Sequence, residues 1–207
     1  MNKENIAKVI KAIEFDGKRR FNMSTFIGRI IGYGSGYRAN EDDIYKEETT
    51  SVLIKDLTTN LFNCDSVGCI AGFATAVAND WKNPFLNISE EDQTKHASYH
   101  FEKEANKFLG LTEQEGKNLY YGDDFSVWKF LHYTGHDDFV DLELEDDLEY
   151  HGDDWWADEG YSIRLNTIKP EHAIKLLQML IDDKIILDNG RKSPIYLNDL
   201  AVLNSTL

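Results

Sequence analysis

The sequence predicts a mainly α-helical protein with a minor β element, organised as one compact domain of 207 residues with two surface excursions, at 28–62 and 122–163. Three observations carry that reading. Apolar residues recur at helical spacing in segments spread along the chain. Capping signals stand in front of several of those segments. No internal repeat and no Pro- or Ser-rich linker divides them, and a chain of this length can bury a core without disulfides or metal.

In residues 3–16, Ile6, Val9, Ile10 and Ile13 share one helical face, and Gly17, Arg19 and Arg20 suit the C-terminus that follows. Residues 28–49 read as an irregular excursion: Gly28, Gly32, Gly34 and Gly36 lack the Gly-Lys-Ser/Thr ending of a phosphate loop, and the acidic clusters after them offer little to bury. Residues 50–54 are β-branched enough for a short strand. Residues 66–78 read as a second helix capped by Asp65 or Ser66, with Val67, Ile70, Ala71, Ala74, Val77 and Ala78 on its buried face. Gly68, Gly72 and Ala76 form a second stripe on it. Because glycine costs a helix roughly 1 kcal/mol relative to alanine, this stripe predicts another backbone packed closely against it.

Further on, Ser89 and the acids after it suit a helix entrance, Ala97, Phe101, Ala105 and Phe108 a buried stripe, and Gly110 the stop. Thr112 and Glu115 form a capping box, and residues 126–132 a short helix. Pro170 suits a first helical position, ahead of the broad apolar face of Ala173, Leu176, Leu177, Leu180 and Ile181.

Lys and Arg number 22 against 37 Asp and Glu, a net charge of −15. Between Phe130 and Ile163 stand twelve acidic residues and no Lys or Arg, so that stretch carries −12 and the rest of the chain −3. Such a balance argues against binding a nucleic-acid backbone directly, which needs a basic surface. No apolar run approaches the roughly 20 residues of a membrane helix, and the N-terminal residues lack a signal peptide's apolar stretch. A cytoplasmic protein with no membrane partner is expected. The two cysteines, Cys64 and Cys69, are too few for a disulfide framework, and a helical link between them would place the sulfurs badly for a bond. Free thiols follow.

The run Asn63-Cys64-Asp65-Ser66-Val67-Gly68-Cys69-Ile70-Ala71-Gly72-Phe73-Ala74 resembles the signature of a family of small bacterial and bacteriophage proteins with a Cys-Gly-Thr-x-x-Cys-Ile-Ala-Gly-x-Ala motif. Supporting blocks occur in the family's order: Arg20-Phe21-Asn22-Met23, Phe108-Leu109-Gly110-Leu111 and Pro170-Glu171-His172-Ala173-Ile174. Together they cover about half of the chain. Asp65 stands where the family typically has Gly, and Phe73 where it often has Trp or His, so no functional side chain is carried over at that variable position. The resemblance implies a phage or bacterial setting, brings no activity with it, and does not extend to the excursions.

Four groups of residues invite chemistry. Cys69 lies near the expected helix start, where free amides lower a thiol pKa, and Gly68-Cys69-Ile70-Ala71 superficially resembles the Gly-Ser-Cys-Trp-Ala run of papain-like proteases. A hydrolase or transferase built on it would use helix-start amides as oxyanion donors and a base from His96, His100, His132, His136, His151 or His172, none of which is placed by spacing. The alternative is a Cys69 that packs as a small apolar residue. His96 and His100 are four apart and could reach one metal ion, yet a third ligand is not evident and Ala97 stands where a zinc protease has Glu. No metal or cofactor is assigned.

The glycines of residues 28–36 are the third group and the acidic stretch is the fourth. It matches no calcium loop, and Phe139, Val140, Leu142, Leu144, Leu148, Tyr150, Trp155 and Trp156 are interleaved with its acids, as in a segment that packs on something rather than a solvated tail. Carboxylates beside aromatic anchors suit a cationic protein surface, including one that otherwise holds nucleic acid. The reading from sequence is therefore a non-enzymatic binding protein that engages a basic partner through Asp146, Asp147, Asp153, Asp154, Trp155 and Trp156. A Cys69-dependent enzyme and a structural component of a larger assembly stand as alternatives, and the oligomeric state is open.

Overall fold

A computed structural model describes residues 1–32, 48–51, 59–62, 66–89, 97–121, 126–146, 161–187 and 196–197. Helices dominate them: α1 (Lys3–Arg20), α2 (Ile70–Ala78), α3 (Ala97–Leu109), α4 (Glu113–Tyr120), α5 (Val127–Tyr133) and α6 (Pro170–Ile181). The mainly α class holds. Three small antiparallel sheets accompany the helices. In the first, β1 (Gly28–Gly32) lies between β2 (Glu48–Ser51) and β3 (Ser66–Val67). The second pairs β4 (Leu144–Asp146) with β5 (Tyr161–Ile163), and the third β6 (Ile185–Ile186) with β7 (Tyr196–Leu197).

The core forms where α1 packs on α6 and α2, and α2 on α3. Ile6, Val9, Ile10 and Ile13 are buried on the predicted face of α1. That helix runs past Gly17, where the sequence suggests an end. Gly17 is buried inside it because a Cβ there would stand 2.9 Å from Ile13 Cγ2 and 3.4 Å from Pro170 Cβ, so its bareness admits the start of α6. The N-terminus of α1 is tied to the end of α3: the Asn2 N–H donates to the Leu109 carbonyl at 2.6 Å, beside Gly110, whose φ of +67° suits glycine. Both bonds of the capping box on Thr112 are made. Ser126 caps α5, and the buried Trp128 donates from Nε1 to the Leu119 carbonyl at 2.8 Å.

Two expectations need correction. Residues 66–69 are not helical: Ser66 and Val67 pair with Arg29 and Gly28, and α2 begins only at Ile70. The N-cap is Cys69, not Asp65 or Ser66, and its side chain makes no cap bond. The cause is competition for backbone groups. The Gly68 N–H donates to Arg20, the Gly68 carbonyl accepts from Asn22, and the Cys69 N–H donates to Thr25, which leaves none of these for a helix. By the same pairing the start of the first excursion is a strand rather than irregular chain, with Gly28 opposite Val67 on one side and Ser51 on the other. Residues 33–47 and 52–58 lie outside the described residues, and of the expected strand at 50–54 only its first two residues are described, in β2.

Candidate functional site

The two places that the sequence marks for chemistry are the start of α2 and the acidic stretch. At the first, steric fit governs. A Cβ on Gly72 would overlap the Phe26 carbonyl oxygen, and one on Gly68 would stand 2.9 Å from Phe62 Cζ and 3.0 Å from that same oxygen. The stripe of small residues does admit another backbone, that of residues 20–27. Phe21 forms a parallel bridge with Gly68 and packs its ring 6.2 Å from that of Phe73, which also meets Phe62 at 5.0 Å. The segments Arg20-Phe21-Asn22-Met23 and Gly68 to Ala74 thus bond to each other.

Cys69 is a buried free cysteine in this packing. The backbone N–H groups of Gly72, Ala71 and Cys69 itself favour its thiolate, as the helix start predicts, but burial outweighs them and pushes the thiol up to about 11. At neutral pH the thiol is therefore protonated. That is the opposite of an activated nucleophile. Tyr120, which periodicity does not single out as polar chemistry, is buried nearby; burial first, and then the Cys69, Glu102 and Tyr121 charges, hold its phenol far above its usual value. The described histidines are engaged elsewhere. His132 Nδ1 lies 3.3 Å from the Phe139 carbonyl oxygen, His136 and His172 meet carboxylates, and the His100 ring packs 5.6 Å from that of Phe85. Cys64, His96 and His151 lie outside the described residues. Among the described residues no three His, Cys, Asp or Glu side chains cluster as a metal site.

The acidic stretch begins on a short 3-10 turn, Asp137–Phe139, seated against α5 and α6. Phe139 is fully buried, with its ring 6.2 Å from Trp128 and 5.9 Å from His172. Leu142 is buried beside it in the same core. Around this apolar anchor the carboxylates meet cations that follow β5 in sequence. Asp138 pairs with Lys175 at 3.1 Å, Asp141 with Lys169 at 3.4 Å and Glu143 with Arg164 at 3.0 Å. Asp141 also faces the buried His172, 3.2 Å from its Nε2. Since His172 Nδ1 accepts the Lys169 N–H at 3.1 Å, the ring proton of the neutral imidazole sits on Nε2 and points at the carboxylate. Burial, the largest influence, lowers the His172 pKa against the raising effect of Asp141 and Glu171.

Beyond this root, β4 and β5 pair Leu144 with Ile163, Glu145 with Ser162 and Asp146 with Tyr161, so the two ends of the stretch between them are held side by side. Of the residues singled out for binding, Asp146 has its backbone in β4. Asp147, Asp153, Asp154, Trp155 and Trp156 lie outside the described residues.

No family model, curated protein or solved structure matches this chain. No helix among the described residues is long and apolar enough to cross a membrane.

Proposed function

We propose that this chain is a non-enzymatic binding protein, related to the bacterial and bacteriophage family that it resembles, which engages a basic protein surface through its acidic, aromatic stretch and so modulates a host factor. The observation that carries the reading is an imbalance of charge within that stretch. Asp138, Asp141 and Glu143 at its root are matched by Lys175, Lys169 and Arg164, while the eight acids from Glu145 to Glu159 share their segment with Trp155 and Trp156 and with no Lys or Arg. Carboxylates in excess beside large aromatic groups present what a cationic surface that binds phosphates would accept. The high pKa of Cys69 gives the rival thiol chemistry no comparable support.

The test is to titrate a Lys/Arg-rich peptide into the protein and follow tryptophan emission, for the natural chain and for a variant with Asp146→Asn, Asp147→Asn, Asp153→Asn and Asp154→Asn together. Binding of the natural chain at least about tenfold tighter, and weakened by salt, is expected. Equal binding by the variant overturns the reading.

A further inference from the structure

We propose that the outward face of α1 is a docking surface for the acidic, aromatic stretch of a second copy of this chain; the inference rests on the binding role given to that stretch above. Helical geometry sets Glu4, Lys8, Lys11, Phe15 and Lys18 in one stripe, opposite the buried Ile6, Val9, Ile10 and Ile13. Phe15 is 93% exposed, the most exposed of the large apolar side chains among the described residues. A phenyl group on a helix's water face buries almost none of its surface in this fold. Lys11 lies one turn before it and Lys18 one turn after it, and neither has an ion-pair partner among the described residues. Lys8 has only an exposed pair with Glu4 at 2.9 Å. The result is an apolar tip framed by three ammonium groups.

Charge selects the occupant. The α1 segment holds six Lys or Arg against three acids, a local excess of cations in a chain that carries −15, and one stripe of lysines lacks the broad basic surface that an extended polyanion such as nucleic acid or an anionic membrane requires. The complementary segment in this sequence is that from Glu145 to Glu159, with eight acids, no Lys or Arg, and the adjacent Trp155 and Trp156. Outside that stretch the body carries only −3, so an incoming acidic segment meets little repulsion near α1, and at physiological salt charges further off than about 8 Å are screened. Geometry favours a second copy over folding back. The root of the stretch is fastened to α6, and α6 packs on the core side of α1, away from the stripe. Each copy carries both surfaces, so reciprocal docking closes a two-fold dimer.

Sedimentation velocity of the full chain over about 5–200 μM in 0.15 M salt tests this, a range that resolves micromolar association. The natural chain is expected to associate with rising concentration. A variant with Lys8→Glu, Lys11→Glu and Lys18→Glu, a Phe15→Ser variant, and the variant with four Asp→Asn changes are each expected to associate at least about tenfold more weakly. Mixing the lysine variant with the aspartate variant is expected to restore a mixed species, because each supplies the surface the other lacks; this also shows that both are folded. A natural chain that stays monomeric, association that survives the lysine reversals, or a mixture without a mixed species overturns the inference. At protein concentrations low enough for the natural chain to be monomeric, the lysine variant is expected to bind the Lys/Arg-rich peptide like the natural chain, so the two proposals fail separately.

Discussion

The start of α2 and the root of the acidic stretch both dock irregular chain on a helix, and they do so by different physics. At α2 the fit is steric and neutral: Gly68 and Gly72 open space for the Phe26 carbonyl, and backbone bonds to Arg20, Asn22 and Thr25 fix the register. At the root, Phe139 is sunk into the core and a buried imidazole and several ion pairs surround it. The first arrangement is therefore sensitive to volume and indifferent to pH, and the second is sensitive to protonation. Residues that look chemical by motif serve packing, and a histidine that looks like part of an apolar helix carries the titration.

The largest effect is expected from Gly72→Ala. In an isolated helix this change stabilises by about 1 kcal/mol. Here the new methyl overlaps a backbone oxygen that cannot rotate away, so overpacking reverses the sign and a net loss of about 3 kcal/mol is expected. Urea unfolding measures it. A neutral or stabilising result would show that residues 20–27 do not press on α2.

Much of this was legible in the chain itself. The spacing of Ile6, Val9, Ile10 and Ile13, the box on Thr112 and Pro170 at a helix start are local signals, and local geometry decides them. The glycine stripe told that a backbone would come close, though not which one. Why 66–69 leave the helix was hidden, because the groups that claim their amides and carbonyls belong to residues some 45 positions earlier. The pairing of Asp141 with His172 spans 31 residues and has no periodicity to announce it. For Cys69 the residue and its place at a helix start were both readable, but the sign of its pKa shift depends on how completely the surrounding aromatics exclude water. Phe15 is legible on a helical wheel, since it stands opposite Ile6, Val9, Ile10 and Ile13.

An intermediate effect is expected from pH. His172 is neutral in the fold, with its pKa lowered first by burial, while in the unfolded chain it takes up a proton near its ordinary value of 6.5. Below that value the unfolded state binds more protons, so the stability contributed by the neutral ring is present above it and is lost as pH falls. One proton limits the slope to about 1.4 kcal/mol per pH unit. Urea midpoints for the natural chain and His172→Gln between pH 7 and 5 should converge as the natural chain loses this term. Midpoints that stay parallel would mean that the root does not depend on a neutral imidazole. The same series for Gly72→Ala should run parallel to the natural chain, since Cys69, the titrating group at that fit, stays protonated throughout this range.

The smallest effect is expected where the root looks most electrostatic. Lys175 and Asp138 meet at 3.1 Å, yet their side chains are 48% and 43% exposed, so water and salt screen the pair and ordering two side chains offsets part of the attraction. Lys175→Ala should cost about 0.5 kcal/mol or less, and the difference should shrink further in 0.5 M salt. The reason lies one residue along the chain: Phe139 is fully buried between Trp128 and His172, and its burial holds the turn in place whether or not Asp138 is matched. A loss above about 1.5 kcal/mol would exceed what an exposed pair supplies and would assign the anchoring of the acidic stretch to charge instead of to that phenyl group.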